Sequence, residues 1–343
     1  MNLSVLDIVP VFADATAEDA LQTTVEVARG VERLGYRRYW VVEHHNTPGV
    51  AVSAPAVLIG HLASLTTTLR VGAGGVLLPN HVPLVVAEQF NTLSALHPGR
   101  IDLGIGRAPG TDPVTARALR RVPTSEPGED FARQIRELLD YLRPPDPAPP
   151  IRAYPAAGTA PEVWLLGSSP RSARLAGAMG LPFAFAHHFD AEGTEPAVAA
   201  YREAFRPSPL AAEPRVMVAV FAVIADTDER ADWLAGPAKI SVLHLLGGRP
   251  AVHVTEETAA AHPYTDFEAD LLATRLSRQV VGGPDTARER LGALLASARP
   301  DELIALSPVR DAAERIHSYQ LLAEAVEAIA GPAVASAPGR IPE

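Results

Sequence analysis

The chain has 343 residues, 47% of them hydrophobic, enough to bury one large core or two ordinary ones. Its net charge of −10 with no basic run argues against nucleic acid or an anionic membrane surface as a partner, and the absence of cysteine excludes disulfides, thiolate metal sites and cysteine nucleophiles. No basic leader with a cleavable apolar core opens the chain and the longest apolar stretch, 216–225, is too short for a bilayer, so a cytoplasmic protein with no membrane contact is expected.

Periodicity gives a repeating unit. Residues 3–11 form an apolar strand, 17–35 an amphipathic helix ending at glycine, and 39–45 the next strand. The cycle continues with a helix near 53–64, a strand over 69–78, a helix over 83–96 and a strand over 100–104. Such alternation predicts a parallel sheet with crossover helices. After Gly110 the rhythm stretches into helical pieces at 111–121 and 128–143, followed by a proline-rich surface excursion over 144–160. The second half brings strands at 162–167, 181–186 and 215–225, with helices at 170–179 and 195–205 between them. Residues 236–270 carry Gly, Pro and three histidines without clear periodicity, and are expected to form a lid or insertion loop with short helices. A helix over 278–296 capped near Asp285, a strand over 301–307 and a helix over 311–329 complete eight strands. The predicted fold is α/β, a single (β/α)8 TIM barrel over 1–343 with insertions.

Four stretches, WVVEHHN (40–46), VGAGGVLLP (71–79), RIDLGIGRAPGTD (100–112) and PEVWLLGSSPRS (161–172), are apolar runs that break into Gly, His, Arg or Ser at their C-terminal ends. In a parallel α/β protein those ends share one face, where ligands bind, so the pattern predicts one site built from distant segments. The GIGRAPG segment (104–110) spells GxGxxxG, and Pro109 and Pro113 interrupt the helix start that a pyrophosphate would need, so a dinucleotide fingerprint is rejected.

At these strand ends the chain resembles the bacterial luciferase-like family of flavin-dependent monooxygenases, FMN branch. The LSVLDIVP start, the EHHN tip, the ALHPGRIDLGIGRAPGTD block, the VWLLGSSPRSARLAGAMGLP block and the VVGGPDTARERL segment carry the resemblance. It implies that reduced FMN (FMNH2), supplied by a separate NAD(P)H:flavin reductase, reacts with O2 through a C4a-peroxide and oxygenates a small organic substrate, with polyketide tailoring among the family's reactions. It also implies a homodimer. Deazaflavin (F420)-dependent hydride transfer, a non-catalytic flavin-binding protein and a metal-dependent hydrolase are the alternatives.

The family's active-site histidine falls on His44, where an imidazole titrating near neutrality can manage a proton; a mere hydrogen bond to Glu43 or a carbonyl is the other reading. No metal site is expected, because adjacent histidines alternate across a strand and His61 and His81 lack a carboxylate cluster. Gly74 and Gly75 would support the flavin ring, across a cis peptide bond, or form a simple bulge. Arg107 would hold the FMN phosphate, or pair with Asp102 or Asp112. Gly167, Ser168, Ser169 and Ser172 join a strand to a helix starting at Pro170 and would take the phosphate on the helix N-terminus, against plain N-capping by one serine. Asp7, charged within a buried strand, needs an interior partner and reads as structural. His187 and His188 are pocket walls or an exposed loop, and Arg249 closes over the site or serves only the surface.

Overall fold

A computed structural model describes residues 1–108, 112–119, 127–144, 150–156, 158 and 160–330. In chain order the elements are β1 (Asn2–Asp7), α1 (Ala17–Arg33), β2 (Arg38–Val41), α2 (Pro55–Leu65), β3 (Arg70–Leu77), α3 (Pro83–Leu96), β4 (Ile101–Gly106), α4 (Pro113–Ala118) and α5 (Pro127–Leu142). The second half contains β5 (Glu162–Gly167), α6 (Pro170–Ala178), β6 (Phe183–Phe185), α7 (Thr194–Ala204), β7 (Val216–Ile224), α8 (Asp228–Leu234), α9 (Gly236–Leu246), α10 (Glu256–Ala260) and α11 (Asp266–Leu276). It ends with β8 (Val280–Gly282), α12 (Pro284–Ala298), β9 (Glu302–Leu306) and α13 (Ala312–Ala330).

Eight strands close a parallel barrel in the order β1-β2-β3-β4-β5-β6-β7-β9, with β9 returning to β1. The helices surround it, as the (β/α)8 expectation required. Most strand residues are apolar and buried on both faces, as in β7, where eight of the nine residues are buried. Helix α1 shows how a crossover is set: Thr16 accepts from the Asp19 amide while Asp19 accepts from the Thr16 amide, and Ala20, Val27, Ala28 and Val31 face the sheet.

The N-terminal end of the barrel is closed by charge. Arg38, fully buried at the start of β2, donates to Asp102 on β4 (2.8 Å) and to Glu302 on β9 (2.8 Å), and reaches Glu162 on β5 at 3.3 Å. Arg70 binds the other Asp102 oxygen, and Arg215 binds Glu162 at 2.7 Å. Trp40 and Trp164 meet edge to face at 5.9 Å just above this layer.

Two expectations shift. Residues 280–282 form β8, which pairs with the end of β7 outside the barrel ring, so the helix expected from 278 starts only at Pro284. The reason is local: Val280 and Val281 are β-branched, and a proline at the first helical position disfavours helix in the residue before it. Its cap is Gly283, with Asp285 in the first turn rather than at the cap. Residues 236–270 hold three helices, α9 to α11, and dock on the loop after β1, where buried His253 lies 5.5 Å from the Phe12 ring and its carbonyl accepts from the Ala13 amide. Residues 109–111, 120–126, 145–149, 157 and 159, which include Pro109, Gly110 and part of the proline-rich excursion, lie outside the described residues.

Candidate active site

The four strands β2, β3, β4 and β5 are consecutive neighbours in the ring, so their C-terminal ends lie side by side on one arc of the mouth. His44, the Gly74–Gly75 bulge, Arg107 and the serine turn therefore come together, although more than 120 positions separate the first from the last in the chain.

At the end of β2, Glu43 is buried and acts as a clamp. His45 Nε2 and His81 Nε2 both donate to its Oε1 at 2.8 Å, and the Leu77 amide donates to Oε2 at 3.1 Å. Burial by itself would raise the Glu43 pKa; the hydrogen bonds from His81, His45 and Leu77 outweigh it and hold the carboxyl below its ordinary value. These bonds correct one expectation: Glu43 serves His45 and His81, so His81 does have a carboxylate beside it. The donor atoms of Glu43, His45 and His81 lie within 4.8 Å of one another, but both imidazoles would have to surrender their hydrogen bonds to hold an ion. His44 is half-buried, its amide anchored on the Val52 carbonyl at 3.1 Å.

On β3 the Gly74–Gly75 peptide is cis, and the register against β4 shifts between Ala73 and Val76. A Cβ on Gly75 would sit 2.7 Å from the Gly104 carbonyl oxygen, so barrel packing already demands glycine there. The bulge reading thus suffices for glycine at this place, where Gly74 is half-buried and Gly75 buried.

Arg107 follows β4, is exposed, and forms no ion pair with any described residue. Both partners proposed for it are taken. Asp102 is held by Arg38, Arg70 and Trp40 at the opposite end of the strand. Asp112 caps α4, accepting from the Val114 and Thr115 amides and the Thr115 hydroxyl, and these bonds, led by the hydroxyl, hold its pKa at about 2.

The serine turn divides in two. Ser169 and Ser172 cap α6 reciprocally, each amide facing the other's hydroxyl at 3.4 Å, with Ser172 Oγ also donating to the Ser169 carbonyl at 2.8 Å. A Cβ on Gly167 would fall 2.0 Å from Ser172 Oγ, so glycine here makes room for the cap. N-capping therefore accounts for Gly167, Ser169 and Ser172 without a ligand, more than the one serine expected of it. Ser168 remains, exposed and with no hydrogen bond to a described residue.

Asp7 has the interior partners it needed: it accepts from the Val9 amide and Thr24 hydroxyl at 2.8 Å and from the Tyr39 hydroxyl, with Arg315 at 3.5 Å. His187 is buried, with Nδ1 on the Thr194 hydroxyl at 2.7 Å and Nε2 on the Arg278 carbonyl at 3.1 Å, and so is no pocket wall. Arg249 is exposed just past the C-terminal end of α9, its amide on the His244 carbonyl at 2.9 Å. No described helix is long and apolar enough to cross a membrane.

The donors present fit an anionic, flat ligand: an arginine with no ion pair among the described residues, a serine with no hydrogen bond among them at the start of a nine-residue helix, and backbone at a glycine pair. Known proteins resemble this chain over nearly its full length. The chain is 45% identical to Bacillus subtilis YvbT over 94% of its own length and 96% of that protein's. It is 40% identical to a luciferase-like monooxygenase of Escherichia coli K12, covering 96% and 98% of the two chains. Among solved structures, apo-MsnO8 superposes with a TM-score of 0.87 at 38% identity, covering 95% of this chain and 98% of that one. Structures under 20% identical, one of them a Baeyer-Villiger monooxygenase with FMN and another an F420-dependent alcohol dehydrogenase, share the fold alone. Residues 1–302 match the model of the luciferase-like monooxygenase family, and the chain belongs to that family.

Proposed function

We propose that the protein is an FMNH2-dependent monooxygenase that consumes O2 and oxygenates a small organic substrate at the barrel mouth. The observation that carries this reading is the arc of four adjacent strand ends holding His44, the glycine bulge, Arg107 and Ser168. Reduced FMN, when bound, supplies the electrons that activate oxygen. The chain's own residues do the rest. Arg107 and the α6 N-terminus with Ser168 hold the phosphate, the side-chain-free Gly74–Gly75 backbone seats the ring, and His44 accepts or returns a proton at the substrate oxygen. The Glu43 clamp ties the end of β2 to Leu77 and His81 beyond β3, and so keeps His44 and the bulge in one geometry.

No nicotinamide fingerprint accompanies these groups, so a separate NAD(P)H:flavin reductase supplies the reduced flavin in this reading. A homodimer is supported by the outer face of α2 and α3, where Val57 and Val85 are exposed in helices that carry one acidic residue between them. Anaerobic titration with reduced FMN and with reduced F420, followed by analysis for 18O from O2 in the product, tests the proposal. Uptake of FMN with labelled product is expected. Binding of F420 alone overturns it, as does FMN uptake with no oxygen transfer to any substrate of a thioether, aldehyde and ketone panel. Sedimentation showing only monomer removes the dimer.

A further inference from the structure

We propose that His188 is a substrate-binding residue: its Nε2 accepts a hydrogen bond from an organic substrate that carries a hydroxyl or N–H donor on an aromatic or similarly apolar body. The inference rests on reading the barrel mouth as the oxygenation site, and adds to it the chemical class of what is held there.

The turn after β6 and its bonds to β7 place the ring. Phe183 stacks on Tyr201 of α7 at 5.5 Å, and Phe185 lies on the same side, so both point out of the barrel. Ala184 occupies the other side, and β6 ends at Phe185, so His188 lies in the turn just beyond the C-terminal end of the strand. His187 spends both nitrogens on Thr194 and Arg278. His188 does not: its amide and its Nδ1 both point at the Ala219 carbonyl, each at 3.1 Å. A carbonyl only accepts, so Nδ1 carries the proton and Nε2 presents a lone pair, to which no described residue donates. Burial, helped by the charges of His187 and Arg275, holds the ring pKa to about 4, against the hydrogen bond at Ala219. At neutral pH Nε2 can therefore only accept.

Protein surrounds this ring, yet part of its surface stays open. Phe189 sits 4.2 Å away and is 65% exposed, an apolar surface beside a single acceptor. The position is apt for a substrate. In the closed ring β6 lies four strands from β2 in either direction, so His188 stands on the wall facing His44, with the flavin arc between them on one side.

The test uses a matched pair of probes, 2-naphthol and 2-methoxynaphthalene, which differ by one donor. Calorimetry on the wild-type protein is expected to show about tenfold tighter binding of the naphthol, the yield of one neutral hydrogen bond. In the His188→Phe protein the two probes should bind equally, and His188→Gln, which keeps an acceptor, should retain a preference. In a 15N-histidine spectrum of the wild type, the naphthol should move the Nε2 resonance of His188 and the ether should not. Equal affinity of the probes for wild type, including no uptake of either, overturns the inference, as does an Nε2 that is protonated at neutral pH. FMN uptake by the wild type is measured separately: its failure beside an intact naphthol preference strikes the flavin reading alone, and the reverse pattern strikes this one alone.

Discussion

At the N-terminal end of the barrel Arg38, Arg70 and Arg215 meet Asp102, Glu162 and Glu302, and each charge has a partner; at the C-terminal end Arg107 and Ser168 stand open, with no described residue bound to them. The same strands supply both. Asp102 and Arg107 are five residues apart on and just past β4, yet one is sealed inside an ion lattice and the other waits at the rim. What separates them is whether the charge is satisfied by the fold itself. A closed lattice stabilises and does nothing further, whereas an uncommitted donor at the strand ends is left to water until a ligand takes it.

The strongest way to break this contrast is at Arg38. Arg38→Met leaves buried Asp102 and Glu302 without their shared cation, and urea unfolding should show a loss of about 3–5 kcal/mol while the protein that remains folded still binds FMN. A loss within about 0.5 kcal/mol, the range of surface substitutions, would mean that the lattice is not a stabilising closure. Acid should reveal the same end of the barrel. Burial raises the Glu162 pKa, but Arg38, Arg215 and Arg70 more than reverse this and hold it at about 2, below its ordinary 4.5. A depressed folded pKa means the contribution is complete above pH 4.5 and disappears as pH falls toward 2, and it amounts to roughly 3 kcal/mol at most. Stability measured from pH 6 downward in the Glu162→Gln protein should lose part of the wild-type slope in that window. At the other end the readout changes kind: Arg107→Met should leave the melting temperature unmoved and weaken FMN about 10- to 100-fold, as for a charge-assisted hydrogen bond. An Arg107→Met protein that melts lower and binds FMN normally would place Arg107 in the lattice class after all.

How much of this was legible follows from the same distinction. The barrel was readable because each βα unit repeats one local pattern, and the rim was readable because Gly, His, Arg and Ser interrupt apolar runs at matching ends. The lattice was not. Its members come one per strand from 38, 70, 102, 162 and 302, and from 215 just before β7, and only the register of neighbouring strands, such as Arg38 against Arg70 and Asp102 against Glu162, brings them into one layer. Read singly, Asp102 looked like a partner for Arg107. The Glu43 clamp was missed for a related reason, since His81 reaches it from beyond β3; the signal available was the one used for Asp7, a carboxylate inside an apolar strand. β8 escaped because three residues are too few to show a period.

The serine turn holds the finest version of the contrast, within five residues. Ser172→Ala removes the hydroxyl that receives the Ser169 amide and donates to its carbonyl, so it should cost about 1 kcal/mol, seen as a melting temperature lower by about 2 °C. Ser168→Ala removes a hydroxyl bound to nothing described, so the melt should not move, while FMN affinity should fall about three- to tenfold, the range of one neutral hydrogen bond. The two substitutions delete the same atom from the same residue type at the start of one helix, and only the partner differs. If Ser172→Ala weakened FMN as much as Ser168→Ala did, the cap itself would face the phosphate, and the division between fold-satisfied and ligand-satisfied groups would fail at the place where the two kinds lie closest.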